Sequence, residues 1–315
     1  MLEKCREGQW RISDLDWSVT PRPMRRVEEE LVVQYFTDMA AIERLAKELF
    51  VEQRRRTDNP ILQKIFSTFV ADEERHAQVA ERLAEHYNVN HYRAYAASPS
   101  LLKFRPHFLR AVRSVSAEIA NVYITGGELL LDIALLRSID DYVDDEMSKQ
   151  AMHRINRDES RHIAIDYYMV EYYASPAYQA ELAAEPKPSL RDHARATWAI
   201  VNLLYFARPF FLDVFLTPIN ACDPSGQRIR EAMKRLQLIG QRPDVAKRPF
   251  SAFMNGLRRL YQSPIAGPIL GSVLARTAGI PGEFMHDLYT DEDVARVRAQ
   301  SFEQMAAEAL SAKYA

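Results

Sequence analysis

Cysteine is almost absent from this chain. Two cysteines, Cys5 and Cys222, among 315 residues cannot form a disulfide framework or a four-thiolate metal site. An excess of charge of either sign is missing too. The 41 basic residues against 43 acidic ones leave a formal charge of −2, which gives no electrostatic ground for a nucleic-acid partner. The short basic run "QRRR" at 53–56 then reads as a solvated helix end. No flavin, nicotinamide or iron–sulfur motif is visible. The opening "MLEKCREGQW" lacks the apolar stretch of a secretory signal, so a cytoplasmic location is expected. One long apolar run is present, "ATWAIVNLLYFARPFFLDVFLTPI" at 196–219. Arg208, Pro209 and Asp213 interrupt it, which favours a buried or surface-docked helix over a span, and membrane association is not expected.

The sustained two-residue alternation of half-buried strands is also lacking. What is present is helical periodicity along nearly the whole chain, in a composition, 47% hydrophobic and 27% charged, able to bury a full core. The fold class is therefore predicted to be all-α. A first helix is predicted over 24–57, ending at "TDNP", where Asp58 can cap and Pro60 can open a second helix over 60–87. The irregular stretch 88–106 is long enough to cross a bundle from end to end. A second helix pair is predicted over 107–142 and 147–175, joined by an acidic turn near "DDYVDDEMS". A Pro- and Ala-containing connection then leads into further helical segments, interrupted by "CDPSG" and "SPIAGP". The expected organisation is an N-terminal arm (1–24), a core of two helical hairpins joined by a long crossover (25–175), and a C-terminal helical extension packing on that core (176–315). This is the connectivity of one class of four-helix bundle.

A five-residue pattern, Asp-Glu-x-Arg-His, occurs twice, as "DEERH" at 72–76 and "DESRH" at 158–162. On a helix, Glu73 and His76 leave the same face and can reach one metal ion, and Glu159 and His162 repeat the arrangement. One Glu-x-x-His alone carries little weight. Here, however, helical steps from Glu73 meet Leu62, Phe66, Phe69, Val70, Ala77, Ala80 and Leu83, and steps from Glu159 meet Met152, Ile155, Ile163 and Val170. Both carboxylates therefore lie in apolar stripes. Buried carboxylates are costly unless they are paired or bind a metal, so two such motifs imply a shared interior ion site.

Two Glu and two His lack the charge to hold two divalent ions, so each partner helix should add a carboxylate at the matching depth. With the first turn near residue 58, the position level with Glu73 is fifteen residues before it (58 − 43 = 15), both sitting roughly 22 Å from the turn. That position is Glu43, on an apolar line with Phe36, Met39, Ala40, Ala46 and Phe50. Reflecting Glu159 through a second turn near 143 or 144 lands on Glu128. Asp38 would replace Glu43 only with a longer first loop, Glu48 falls on a more polar side, and Glu118 lies almost three turns from the required level. Asp132, one turn beyond Glu128, reads as a supporting group, an extra ligand, or a buried acid paired with an arginine or tyrosine. Asp166 likewise reads as either a supporting group of the site or such a paired buried acid.

The set Glu43, Glu73, His76, Glu128, Glu159 and His162 resembles that of the ferritin-like diiron carboxylate proteins, over about residues 25–175. Those proteins take a Glu from each of two helices and Glu-x-x-His from each of the other two. The form Asp-Glu-x-Arg-His is most similar to the oxygen-activating members. The resemblance implies that Asp72 supports His162, that Asp158 supports His76, and that Arg75 and Arg161 pair with nearby carboxylates, orienting the imidazoles. It further implies two iron ions (or Mn/Fe, or Mn), O2 as co-substrate, Glu73 and Glu159 as the bridging pair, and an external reductase- or ferredoxin-type electron donor. Departures narrow the choice. Ala80 stands where ribonucleotide reductase small subunits carry a radical tyrosine. Ile155 stands where the p-aminobenzoate N-oxygenases carry a seventh ligand, with His153 turned about a third of a turn away. The cysteine-rich module of rubrerythrins has no counterpart.

The function expected is a non-haem diiron oxygenase or oxidase that hydroxylates, N-oxygenates or desaturates a small organic substrate. The alternative is an iron-oxidising or iron-storage protein of the ferritin or rubrerythrin kind, which needs only the compact bundle and not the long C-terminal extension. A pocket lined by Phe36, Met39, Phe69 and Ile124 is one reading of the core stripe, and Gly126–Gly127 before Glu128 read either as room for a ligand or as close helix packing. A homodimer is expected from the habit of such proteins and from the apolar segment 196–219.

Overall fold

Helical periodicity without strand alternation produces a chain that is all-helical among the described residues. The structure, a computed structural model, describes residues 1–184, 189–271, 273 and 281–312. Residues 185–188, in the predicted Pro-containing connection, fall outside them. The elements are α1 (Leu2–Glu7), α2 (Arg26–Arg56), α3 (Pro60–Tyr87), α4 (Pro99–Ser114), α5 (Ala117–Leu129), a π-helical run (Leu130–Leu136), α6 (Arg137–Val143) and α7 (Glu146–Ala174). They continue with α8 (Pro176–Ala184), α9 (Leu190–Phe210), a second π-helical run (Phe211–Leu216), α10 (Thr217–Cys222), α11 (Gln227–Ile239), α12 (Pro249–Gln262), α13 (Asp291–Ala299) and α14 (Phe302–Ala312).

The first hairpin, α2–α3, turns at Thr57–Asn59. Asn59, not the expected Asp58, caps α3. Its side chain accepts from the Ile61 and Leu62 amides while Pro60 opens the helix. The second hairpin joins α6 to α7 through Asp144, which adopts the left-handed conformation at φ 47°, and Asp145, which caps α7 by accepting from the Ser148 amide. Tyr87, at the end of α3, donates to Asp145 at 2.7 Å and ties the two hairpins together.

The single helix predicted over 107–142 is broken. Helix α4 begins at Pro99, inside the stretch expected to be irregular, and ends at Ser114. Ser116 then caps α5 by accepting from the Ile119 amide. The reason lies on another helix: Arg56 of α2 donates to the carbonyls of Val112 (2.8 Å) and Val115 (2.9 Å). It thereby satisfies carbonyls that a continuous helix would bond internally. Beyond Glu128 the helix loosens into the π-helical run, and these wide turns recur at functional sites.

Helix α2 packs along α3, α5 packs on α7, and α2–α5 and α3–α7 contacts close the arrangement. Phe36, Phe50, Phe66, Phe69, Leu83 and Leu129 are fully buried in it, each contributing about 1.5–3 kcal/mol of hydrophobic burial. Around this core, α9 lies on α4, α11 lies on α5 and the first π-helical run, and α14 lies on α7. Arg248 pairs with the buried Glu118, and Arg235 with Glu308 at 2.6 Å. The N-terminal segment is laid back over the core: α1 packs on α3, and Arg22 donates to the carbonyls of Tyr142 (2.9 Å) and Val143, capping α6.

Two helical runs are long and apolar enough to cross a membrane by length and composition, Ala117–Val143 and Leu190–Cys222. The apolar window of the first is 76% buried inside the protein and that of the second 28%, with Trp198, Val201 and Tyr205 exposed.

Asn59→Ala removes both cap bonds and is expected to lower stability by about 1 kcal/mol in denaturant unfolding. Metal content should be unchanged, because the cap lies at the turn and the buried carboxylates lie well along the helices.

Candidate metal centre

Helical spacing brings six carboxylate and imidazole side chains able to ligate a metal to one level of the core. Helix α2 supplies Glu43, α3 supplies Glu73 and His76, α5 supplies Glu128, and α7 supplies Glu159 and His162. All six are buried, five of them at 0% exposure and Glu128 at 4%. They form two overlapping sets, Glu43–Glu73–His76–Glu159 and Glu73–Glu128–Glu159–His162, whose ligating atoms lie within 4.8 Å of one another. Glu73 and Glu159 belong to both. His76 Nδ1 stands 3.1 Å from Glu159. His162 Nδ1 stands 3.0 Å from both Glu73 and Glu159, and 4.0 Å from Glu128.

Apart from one bond between His162 Nδ1 and Glu159 Oε2 at 3.0 Å, these atoms converge without satisfying one another. Both oxygens of Glu43 and of Glu73, one each of Glu128 and Glu159, and Nδ1 of His76 are buried with no hydrogen-bond partner. An orphaned buried polar atom costs about 1–3 kcal/mol, so the arrangement calls for a cation. Four carboxylates balance two divalent ions, and a donor set of carboxylate oxygen and imidazole nitrogen fits first-row transition metals.

The electrostatics point the same way. Burial, together with the neighbouring carboxylates, pushes Glu73 and Glu128 well above the usual carboxyl range, and burial and Glu159 raise Glu43 to about 7. Burial works against ionising Glu159 as well, but His162 and His76 beside it hold it well below. Burial alone would lower the histidines. Asp158 and Glu159 override it at His76, raised to about 10, and Glu159 and Asp72 do so at His162, raised to about 9. With no cation, protons hold the cluster together.

Behind the histidines lies a charged layer. His76 Nε2 faces Asp158 at 3.1 Å and His162 Nε2 faces Asp72 at 3.4 Å, each imidazole turning its other nitrogen towards the cluster. This geometry lets each Nε2–H donate to its aspartate, so that Nδ1 is the nitrogen a metal would take once its proton is displaced. Arg161 Nη2 donates to Asp158 (2.6 Å) and Asp72 (3.4 Å), while Arg75 Nη2 reaches Asp72 and Asp158, the latter at 3.1 Å. Burial opposes the ionised Asp158, but His76 and Arg161 keep it well below the usual range.

Two members of this layer are not apparent from the sequence. Trp10 Nε1 donates to Asp158 at 2.7 Å and Gln9 Nε2 to Asp72 at 2.8 Å, both from the segment read only as an arm. Gly8 makes the approach feasible, because a Cβ there would stand 2.5 Å from Arg161 Nη1. No periodicity marks a short polar stretch that docks end-on, so only the unexplained Trp could have pointed to it.

The competing carboxylates are engaged elsewhere. Asp38 accepts from the amide and hydroxyl of Ser98 at 2.6 Å, Glu48 sits 3.7 Å from Arg113, and Glu118 pairs with Arg248. Asp132 is buried on the π-helical run and belongs to neither ligand set. Among the described residues Asp166 has no arginine or tyrosine partner. Both its oxygens are buried without a hydrogen bond, and burial holds it well above the usual range. Phe36, Met39, Phe69 and Ile124 are packed core and not a pocket lining: Phe69 lies 4.1 Å from the His162 ring and Phe36 stacks on Tyr87. Ile155 is buried and His153 exposed.

Glu159→Ala removes a ligand common to both sets and is expected to cost about half or more of the bound metal, read by elemental analysis. Unchanged metal content would refute the cluster. Since burial and neighbouring charges favour protons on both imidazoles and on three of the carboxyls, metal uptake is expected to release protons. Apparent affinity is therefore expected to rise with pH through the neutral range, seen as acidification in weakly buffered titrations.

Comparison of the chain with protein-family models, curated proteins and solved structures finds no match, so a functional reading has to stand on these residues and their geometry.

Proposed function

We propose that the protein is a non-haem diiron oxygenase or oxidase on a ferritin-like four-helix core, which uses O2 to oxidise a small organic substrate. The observation that carries this reading is the pair of overlapping carboxylate–imidazole sets with Glu73 and Glu159 in common. A single structural ion needs neither the second set nor the shared acids. Glu43, Glu73, His76 and Glu159 would hold one ion and Glu73, Glu128, Glu159 and His162 the other, with Glu73 and Glu159 common to both. Iron is favoured over zinc or magnesium by the mixed donors and the redox task, with Mn/Fe or Mn as variants. Two ferrous ions held there would supply electrons for the reduction of O2.

The remaining work falls to the chain. Asp158 and Asp72 keep Nδ1 of each imidazole aimed at the cluster. Phe50 and Phe69, with rings 5.1 and 4.1 Å from that of His162, keep water from its apolar side. Asp166, one turn beyond His162, has a carboxyl that burial pushes well above the usual range, a group suited to proton transfer near the cluster. Further electrons come from an external reductase or ferredoxin-type donor, and the proposed setting is a cytoplasmic homodimer.

Anaerobic reconstitution with Fe(II), followed by mixing with O2, tests the reading against iron storage. Oxidation is expected to saturate at about two iron ions per chain, the loading that four bridging and terminal carboxylates neutralise. Continued oxidation of excess Fe(II) with mineral growth would overturn it.

A further inference from the structure

The N-terminal segment reaches the charged layer from outside the bundle and touches both halves of it. Trp10 Nε1 donates to Asp158 Oδ2 at 2.7 Å, and Gln9 Nε2 donates to Asp72 Oδ1 at 2.8 Å, so two adjacent residues serve the aspartates of both motifs. The same segment is tied to both motif helices. Arg157 of α7 donates to the Gly8 carbonyl at 2.8 Å, Arg154 of α7 to the Asp14 carbonyl at 3.3 Å, and Arg75 of α3 to Gln9 Oε1 at 3.0 Å. The guanidinium groups of Arg75 and Arg154 lie 5.0 and 5.5 Å from the centre of the Trp10 ring, and their attraction to its π face helps hold it. Trp10 is 6% exposed, whereas Gln9 is exposed, so the indole bond is the better shielded of the two.

The two aspartates are held differently. Asp158 Oδ2 accepts from Trp10 (2.7 Å), from His76 Nε2 (3.1 Å) and from Arg75 (3.1 Å), while its Oδ1 accepts from Arg161 at 2.6 Å. The indole contact is the shortest on the oxygen that holds His76. Bonded on both oxygens, the carboxylate is not free to turn about its terminal torsion, which is otherwise broad, and Oδ2 stays within reach of the imidazole. A neutral donor suits the place. With the imidazoles counted as neutral ligands, Arg75 and Arg161 already balance the two aspartates, and a third buried cation would be unpaired. In the other half, His162 stands 3.4 Å from Asp72 Oδ2 and Gln9 bonds the opposite oxygen. Trp10 thus shares an oxygen with its histidine, and Gln9 does not.

We propose that Trp10 is a positioning residue of the centre: its indole N–H fixes Asp158, and through Asp158 it aims His76. That the aimed imidazole serves a metal ion rests on the dinuclear reading, while the aiming itself rests on these hydrogen bonds alone. His76 belongs to the set Glu43–Glu73–His76–Glu159 and not to the other, so the two ions should feel the loss of the indole N–H unequally.

The test replaces Trp10 with benzothienylalanine, which keeps the shape of the indole and puts sulfur in place of the N–H. Solvent exchange of the histidine Nε2–H protons is then read by NMR on the metal-free protein carrying isotopically labelled histidine. Exchange at His76 is expected to quicken about 10-fold, as the loss of one hydrogen bond of ordinary strength implies, with a smaller change at His162. The same replacement at Trp17 is the control. Its indole donates to the Ile12 carbonyl at 2.9 Å, within the segment itself, so this change loosens the segment without touching Asp158 and should leave both histidines as they were. An unchanged His76, equal quickening of both histidines, or the same effect from position 17 would overturn the assignment. Cobalt(II) titration of the same proteins gives a second readout. One of two ions is expected to bind about 10-fold more weakly without the Trp10 N–H, the low end for a partner behind a ligand. Two ions bound as tightly as before would overturn the role of Trp10 at the centre. An unsubstituted protein that takes up no cobalt would instead overturn the metal reading, and the exchange rates would still decide the positioning.

Discussion

Four carboxylates buried in an apolar core set the terms for the rest of this molecule. Glu43, Glu73, Glu128 and Glu159 cannot all ionise there unaided, and the spread of their proton affinities, three raised and one depressed, is what crowding like charges at low dielectric produces. Everything near them is arranged around that cost. The two histidines are held by aspartates, the aspartates by arginines, and the arginines lie under the N-terminal segment, only 9–11% exposed. Charge alternates in sign outward from the cluster.

Much of this was legible because a helix converts sequence spacing into depth and direction with little freedom. Glu43 and Glu128 follow from reflecting Glu73 and Glu159 through the turns, since rise per residue is nearly constant and the turns are short. Hydrophobic neighbours gave the face. Long-range side-chain bonds defeated the same logic. The break between α4 and α5 depends on Arg56, sixty residues away on another helix, and the sequence around Ser114–Ser116 has no glycine or proline to announce it. Asn59 rather than Asp58 became the cap because Pro60 fixes where the first turn starts. Trp10 and Gln9 were hidden because docking of an arm is decided by the surface it meets.

The C-terminal helices were legible as helices but not as walls of a cavity. Their periodicity says which face is apolar and nothing about which neighbour covers it. Only the packing of α11 and α12 against α5 forms the cavity lined by Val122, Thr125, Leu236 and Met254. The exposed stretch of α9 around Trp198 and Tyr205 shows the limit from the other side, a face whose apolar character was plain and whose partner is not defined by any residue near it.

The crossed wiring of the repeated motif has a consequence for how such a chain can change over time. Asp72 sits in the first motif yet serves the histidine of the second, Asp158 does the reverse, and Arg161 touches both aspartates. Neither copy can drift, be lost or be exchanged by itself without unsettling the other. What looks in the sequence like a duplicated module is physically one unit, and a change at position 72 is felt at 162.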